Sequence, residues 1–323
     1  MIPFFLFIFL YVFLDPFRII YRQDSPHDLH WNRDVQGSRL FIQNNSKHHY
    51  SSFIMGNSEC MAFMSKTWGK YIGDSIPFHF DASSEDINSI YNKLNYLDKI
   101  GNPIKNVLLI TDPTVYRGTG TENQFGYNHD YKIDGSSAIK FHYIFFSGFI
   151  THFLFVGYID YSLNKTYRTY MHGSIPDDME QFIYDSITND WILQNRLQSI
   201  KADSLKFYSN SHIFYERKGT ALAFEPCISE SCLVTLKKIK QLFEKHNTHY
   251  KIVLGPIYSQ RPTNKADIER LNQVFGKENV FDFSGVNTYS SNIGNYLDNV
   301  HYKPYIGAQL LKVIYASKDS LAH

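Results

Sequence analysis

The feature that most constrains this chain is a repeated switch between short apolar runs and amphipathic helical stretches, present at both ends of the sequence. Tyr50-Ser51-Ser52-Phe53-Ile54-Met55 reads as a short buried strand that runs into Gly56-Asn57-Ser58, and a helix-like stretch follows from Glu59 to about Lys70. Ile76-Pro77-Phe78-His79-Phe80 is a second strand candidate. A helix over about 85–100 comes next, with Ile87, Ile90, Leu94 and Leu97 at helical spacing and a cap expected at Ser83 or Ser84. Asn106-Val107-Leu108-Leu109-Ile110-Thr111 is a clear strand, ended by Asp112-Pro113. Toward the C-terminus, an amphipathic helix over Cys232–His246 carries Leu233, Leu236, Ile239, Leu242 and Phe243 and feeds the strand Tyr250–Leu254. A helix over about 264–275, the strand Asn279–Phe283 and a last helix over about 303–317 complete the pattern. Strands alternating with helices build a parallel sheet covered on both faces. The expected fold class is therefore α/β, a three-layer α/β/α sandwich around a mostly parallel sheet.

Two segments stand outside that alternation. Residues 2–14, IPFFLFIFLYVFL, form an unbroken apolar run ended by Asp15-Pro16. At about 1.5 Å per residue such a run falls short of a hydrocarbon core of roughly 30 Å. Phe17-Arg18-Ile19-Ile20-Tyr21 can extend it if Asp15 and Arg18 snorkel. There is no basic stretch before it and no small-x-small cleavage site, so we read residues 1–22 as an uncleaved transmembrane anchor rather than a signal peptide. Arg18 and Arg22 follow the run, and the positive-inside rule alone places the rest of the chain in the cytoplasm. Residues 23–49 are polar and read as a linker, 50–317 as the α/β domain and 318–323 as a tail. The second outlying segment is a long insertion at 113–220, a possible lid. It opens with a Gly-, Thr- and Asn-rich loop to residue 137, continues as the aromatic run Phe141–Tyr161 and contains a helix over about Asp177–Leu197. The aromatic run reads as helices packed on the core, or as a lid or a face that lies on a membrane or a membrane partner.

Charge gives no case for nucleic acid: 32 Lys and Arg balance 31 Asp and Glu. The 26 Phe and 24 Tyr suit a large core, carbohydrate stacking or a membrane-facing surface, and composition does not choose among these. Three cysteines are too few for a disulfide scaffold. A local Cys227–Cys232 disulfide fits an oxidising compartment, and Cys60 reads as a small buried apolar residue. His129, His142, His152 and His172 lack paired metal-ligand spacing, and neither a phosphate loop nor a dinucleotide fingerprint is present, so no metal or cofactor is expected.

The chemistry-bearing candidates lie at the ends of the pattern. A serine hydroxyl attacks a carbonyl only when a base takes its proton and donors receive the oxyanion. Ser58 sits where a strand turns into a helix, with Gly56 permitting the turn and Asn57 available for polar contacts. Far downstream, Asp298-x-x-His301 lets a carboxylate hold one ring nitrogen while the other faces the serine. Asp112, at the end of a strand, reads as a general acid or as a helix cap, and Arg117 as an anion contact or a solvated loop residue.

These blocks resemble the SGNH (GDSL-type) hydrolase superfamily, and more closely its membrane-anchored bacterial branches. Those branches include SGNH-like proteins that accompany membrane-bound O-acyltransferases and the D-alanyl transfer protein of lipoteichoic acid synthesis. The resemblance is carried by Leu14-Asp15-Pro16-Phe17-Arg18, Phe53–Ser58, Ile252–Tyr258 and Asp298-Asn299-Val300-His301-Tyr302. It implies a flavodoxin-like fold held outside the membrane by its anchor, with Ser58 as nucleophile, His301 as base and Asp298 as orienter. It also implies action on acyl esters, often of cell-surface glycans or envelope polymers, with a membrane-bound O-acyltransferase as a possible partner. The superfamily's usual oxyanion Gly and Asn are replaced here by Asp81-Ala82-Ser83-Ser84 and Thr111-Asp112-Pro113. A backbone N–H of Ala82 or Ser83 is then the expected substitute donor, and an ionised Asp112 would repel an oxyanion. Glu59 stands after the serine where related members often have a basic residue. These departures leave a second expectation open, a catalytically weak or inactive accessory that binds glycan or docks on the acyltransferase.

Overall fold

A computed structural model of the chain describes residues 2–17, 19–21, 33–118, 129–151, 154–166, 168–171, 182–217 and 221–316. In chain order the elements are α1 (Ile2–Leu14), α2 (Arg33–His48), β1 (Ser52–Gly56), a 3-10 helix (Ser58–Ala62), α3 (Ser65–Ile72), β2 (Phe78–His79), α4 (Ile87–Lys99) and β3 (Asn106–Thr111). The insertion holds α5 (Pro113–Arg117), α6 (Tyr131–Asp134), α7 (Ala138–Thr151), α8 (Leu154–Asn164), β4 (Phe182–Tyr184), β5 (Trp191–Leu193), α9 (Gln194–Ala202) and α10 (Ser204–Tyr208). The chain closes with α11 (Glu230–Lys245), β6 (His249–Leu254), α12 (Lys265–Phe275), β7 (Val280–Asp282), α13 (Thr288–Ser291) and α14 (Pro304–Ile314).

The main sheet is parallel throughout, in the order β2-β1-β3-β6-β7. Its central strands are apolar on both faces, as strands covered on both sides must be. Phe53, Met55, Val107, Leu109, Ile252 and Leu254 point to one face, where α4, α11, α12 and Phe41 of α2 bury them. Ile54, Leu108, Ile110 and Val253 point to the other, against Trp68 of α3 and Ile306, Leu310 and Leu311 of α14. Counting only this sheet, the strand order is 2-1-3-4-5, and the direction of winding reverses between β1 and β3. Doubly wound sheets bind their ligands at the carboxyl edge of that reversal.

Several expectations are corrected. The polar stretch 23–49 is not all linker: 33–48 is α2, whose few apolar residues include Val35 and Phe41, both fully buried. Phe41 stacks on Phe80 at 5.0 Å, so one aromatic anchors a helix that composition disguises as loop. The helix after Ser58 is broken in two, because Asp190 of the insertion accepts the Ser65 N–H (2.9 Å) and starts α3 there. The cap of α4 is Asp86, which accepts the Ser89 N–H (2.8 Å), not Ser83 or Ser84. The stretch 177–197 is not one helix: among its described residues, 182–193 form the β4–β5 hairpin and only 194–197 are helical, as the start of α9. Asp185 accepts the N–H groups of Ile187 and Thr188, an Asx turn, and so folds β4 back onto β5. The loop after Asp112 begins with α5 and includes α6, while residues 119–128 lie outside the described chain.

Cys227 and Cys232 are free and buried, not bridged. Cys227 donates from both N–H and Sγ to Asp267 (2.9 and 3.3 Å), and Cys232 lies in the first turn of α11 with its N–H on the Ser229 hydroxyl. Cys60 is a fully buried apolar residue, as expected.

Among the described residues no single helix is long and apolar enough to cross a membrane. The proposed extension of α1 does not form. Asp15 turns the chain at φ 38° and accepts the N–H groups of Ile19, Ile20 and Tyr21. Instead, α1 packs on the broken pair α7–α8, bent by 78°, through Tyr11, Phe141, Phe145, Phe149, Leu154 and Tyr158.

Candidate active site

Two close approaches of backbone bring the site together. At the end of β1, Gly56 has φ +135°, and a Cβ there would stand 1.9 Å from the Ile110 carbonyl oxygen. Only glycine lets the chain leave β1 pressed against the end of β3. At the other contact, a Cβ on Gly307 would stand 2.0 Å from the Ala62 carbonyl oxygen. Glycine there lets α14 lie directly on the 3-10 helix that begins with Ser58. The loop entering α14 is pinned by Leu297 N–H to His301 O and Lys303 N–H to Asn295 O, both 2.8 Å.

The result is a continuous line of hydrogen bonds. Ser58 Oγ lies 2.8 Å from His301 Nε2, and His301 Nδ1 lies 2.9 Å from Asp298 Oδ2. Asp298 is itself held by the N–H groups of Val300 and His301, each 2.8 Å from Oδ1. Burial disfavours charge on Asp298. The His301 ring, by hydrogen bond and charge, and these two N–H groups outweigh burial and lower its pKa. The carboxylate therefore stays ionised and fixes Nδ1 as the protonated nitrogen, which leaves Nε2 to accept from Ser58. Side chains of His301 and Asp298 retain 18% and 16% exposure, and Ser58 is half-buried, so a reactant can reach them.

Among the neighbours, Asp112 and Asn57 take roles the sequence offered, whereas Ala82 and Ser83 do not. Asp112 is a helix cap. Its carboxylate accepts the Thr114 N–H (2.7 Å) and hydroxyl (2.5 Å), the Val115 N–H (3.2 Å) and the Asn57 amide (3.0 Å). Asn57 in turn caps the 3-10 helix by accepting the Glu59 N–H (3.1 Å). The two expected oxyanion donors are occupied: Ala82 N–H binds Gly56 O (3.1 Å) and Ser83 N–H binds Asp34 Oδ1 (2.9 Å). Two further donors belong to this corner: the Ser58 N–H, at the first position of its helix, and the second hydrogen of the Asn57 amide. Arg117 is exposed at the end of α5. His129 is buried 3.3 Å from Glu85, His142 lies on α7, and His152 and His172 lie outside the described residues. Among the described residues no group of three His, Cys, Asp or Glu is placed to hold a metal ion.

Sequence reasoning missed a second polar constellation beside the triad. His79 is fully buried, with Nε2 facing Asp190 (2.9 Å) and the Phe63 carbonyl (2.8 Å) and Nδ1 facing Asp81 (3.2 Å). Burial opposes charge on this ring, but the Asp190 and Asp81 carboxylates prevail and push its pKa up to about 10. Asp81 also accepts the Trp191 indole N–H (3.3 Å), and the Trp191 ring stands edge-on to His301 with centroids 6.5 Å apart. The available signal was a polar residue inside the apolar run Phe78-His79-Phe80, since a buried imidazole demands partners.

No family model matches the chain and no curated protein is significantly similar to it, which leaves the resemblance to SGNH hydrolases resting on the quoted residues.

Proposed function

We propose that this chain is a membrane-tethered serine esterase or acyltransferase of SGNH type, acting on O-acyl groups of an extracytoplasmic glycan or cell-envelope polymer. The observation that carries the reading is the line Asp298–His301–Ser58, assembled across 243 residues of sequence by two glycine contacts. In the reaction, His301 Nε2 takes the Ser58 proton as Oγ bonds to the ester carbonyl carbon. The C–O bond to the leaving alcohol breaks, and His301 returns the proton to that oxygen. Water or a sugar hydroxyl then attacks the acyl-serine by the same route in reverse. The Ser58 N–H and the Asn57 amide are the groups that would receive the carbonyl charge. The strand order, with Ser58 at the winding reversal, supports the flavodoxin-like SGNH fold.

The tether is supported by α1, which is apolar on every side and exposes Phe5, Phe9 and Phe13, and by exposed Ile139, Tyr143 and Leu163 on the helices it packs against. A helix apolar all round belongs in a core or in lipid.

A fluorophosphonate probe tests the reading. It should label the wild-type protein and leave Ser58→Ala unlabelled; equal labelling of the two proteins rules out Ser58 as the nucleophile. The accessory reading is favoured by one observation, the loss of the Ala82 and Ser83 N–H groups as oxyanion donors. Its mark would be co-purification with a multi-span acyltransferase, unchanged by Ser58→Ala, in a protein that resists the probe.

A further inference from the structure

The β4–β5 hairpin is a short two-stranded sheet of its own, yet it is fastened to the main domain at many points. His79 N–H donates to Thr188 O (2.8 Å), and Asn189 Nδ2 donates to His79 O (2.6 Å). Tyr50 Oη donates to Ile187 O (2.5 Å), and Asp190 holds both the His79 ring and the Ser65 N–H. An isolated hairpin is marginal in water, so these ties set its position. The buried His79 ring sits at their centre, its two N–H groups directed at Asp190, Asp81 and the Phe63 carbonyl. What the clamp places is Trp191. This side chain lies between Asp81 at the end of β2 and the His301 ring, and it packs with Met61, Leu193 and Leu297 into one buried apolar cluster. Met61 belongs to the same 3-10 helix as Ser58, and Leu297 directly precedes Asp298. The cluster therefore joins the helix that carries Ser58 to the loop that carries Asp298, with the Trp191 indole against the His301 ring.

We propose that Trp191 is the specificity-determining wall of the site and limits the acyl group to a short chain, with His79 as the positioning residue that holds it there. The proposal rests on the reading of Ser58 as the nucleophile of an acyl-transfer site. A chain extended from an acyl-Ser58 carbonyl toward β2 meets the indole and the packed side chains behind it. Their removal opens room for several methylenes, each worth roughly a tenfold discrimination or more in an apolar pocket.

The test uses the full chain in detergent with p-nitrophenyl acetate, butyrate and octanoate. Wild type should favour acetate, Trp191→Ala should raise the octanoate-to-acetate ratio of kcat/KM by about tenfold or more, and Trp191→Phe should raise it less. Asp81→Ala, which frees the indole N–H, should shift the ratio in the same direction. Melting profiles verify folding, and Trp191→Phe with Asp81→Ala decides the matter if Trp191→Ala does not fold. Ser58-dependent turnover with an unchanged ratio in the folded variants overturns the wall and leaves the nucleophile standing. Failure of wild type to turn over any of the esters in a Ser58-dependent way overturns the esterase reading and the wall together.

Discussion

Of the described histidines that face aspartates, His301 and His79 meet at the candidate site, and only His301 is arranged to move a proton. His301 spends Nδ1 on Asp298 and keeps Nε2 for the Ser58 hydroxyl, at an edge that solvent reaches. His79 spends both nitrogens on acceptors, three in all, and is fully buried. A ring that donates from both nitrogens is an imidazolium, and with no free lone pair it cannot serve as a base. The pair of constellations shows that a histidine–carboxylate contact does not by itself mark catalysis. The deciding feature is what the second nitrogen touches.

The sharpest way to break this comparison is to remove each ring in turn. His301→Ala should abolish Ser58 labelling and lower any esterase rate by about 10⁴-fold or more, because a triad loses most of its rate when one member goes. Its melting temperature should move little, since the ring is part-exposed. His79→Ala should do the opposite. It leaves Asp81 and Asp190 buried without their shared cation, a loss of about 3–5 kcal/mol in stability, read by urea unfolding. Labelling per folded molecule should survive, although the hairpin loosens. If His79→Ala folds normally and stops labelling, the two rings have been assigned the wrong way round.

The pH dependence separates the two rings further. Folding raises the His79 pKa from 6.5 to about 10, so the folded chain holds a proton the unfolded one releases. That contribution is complete below about pH 6.5 and fades as pH climbs toward 10. Wild-type stability should therefore decline across that window. His79→Gln should lack this part of the decline, and equal slopes in the two proteins would show that the ring is not charged in the fold.

The two constellations were not equally legible in the sequence. Ser58 and Asp298-x-x-His301 were visible because each sits at a junction that the strand–helix alternation locates. The alternation itself gave β1, β3, β6 and the helices α4, α11, α12 and α14 to within a few residues. The His79 clamp was not legible, because its partners come from a hairpin whose strands are only three residues each. Strands that short carry no periodicity, and their turn residues, Asp185 and Asn189, sit inside what reads as a helix. α2 was missed for a related reason: its apolar residues are one isolated Val35 and the consecutive Leu40, Phe41 and Ile42, which make no helical period. The Ala82 and Ser83 donors were misjudged because backbone N–H groups leave no trace in a sequence; their partners, Gly56 O and Asp34, are set by tertiary contact alone.

The mildest substitution concerns Glu59, the residue after Ser58, and it sharpens the contrast from a third direction. Glu59 is fully buried, its Oε2 has no hydrogen-bond partner among the described residues, and its carboxyl packs on Gly255, where a Cβ would stand 2.5 Å from that oxygen. Burial, with the Asp112 charge second, raises its pKa well above the ordinary carboxylate value, so Glu59 is held as the neutral acid. Unlike His79, it has no counter-ion among the described residues, and the fold accommodates it by keeping the proton. Its folded pKa lies above its unfolded one, so stability is lost as pH rises past about 4.5 and the unfolded chain releases that proton. Glu59→Gln keeps the shape and removes the proton equilibrium. At pH 5 the variant should match wild type to within about 1 kcal/mol, and by pH 8 it should be the more stable of the two. Chemical denaturation at both values reads the crossing. A Glu59→Gln protein that weakens relative to wild type as pH rises would mean that Glu59 is ionised in the fold, one residue from Ser58.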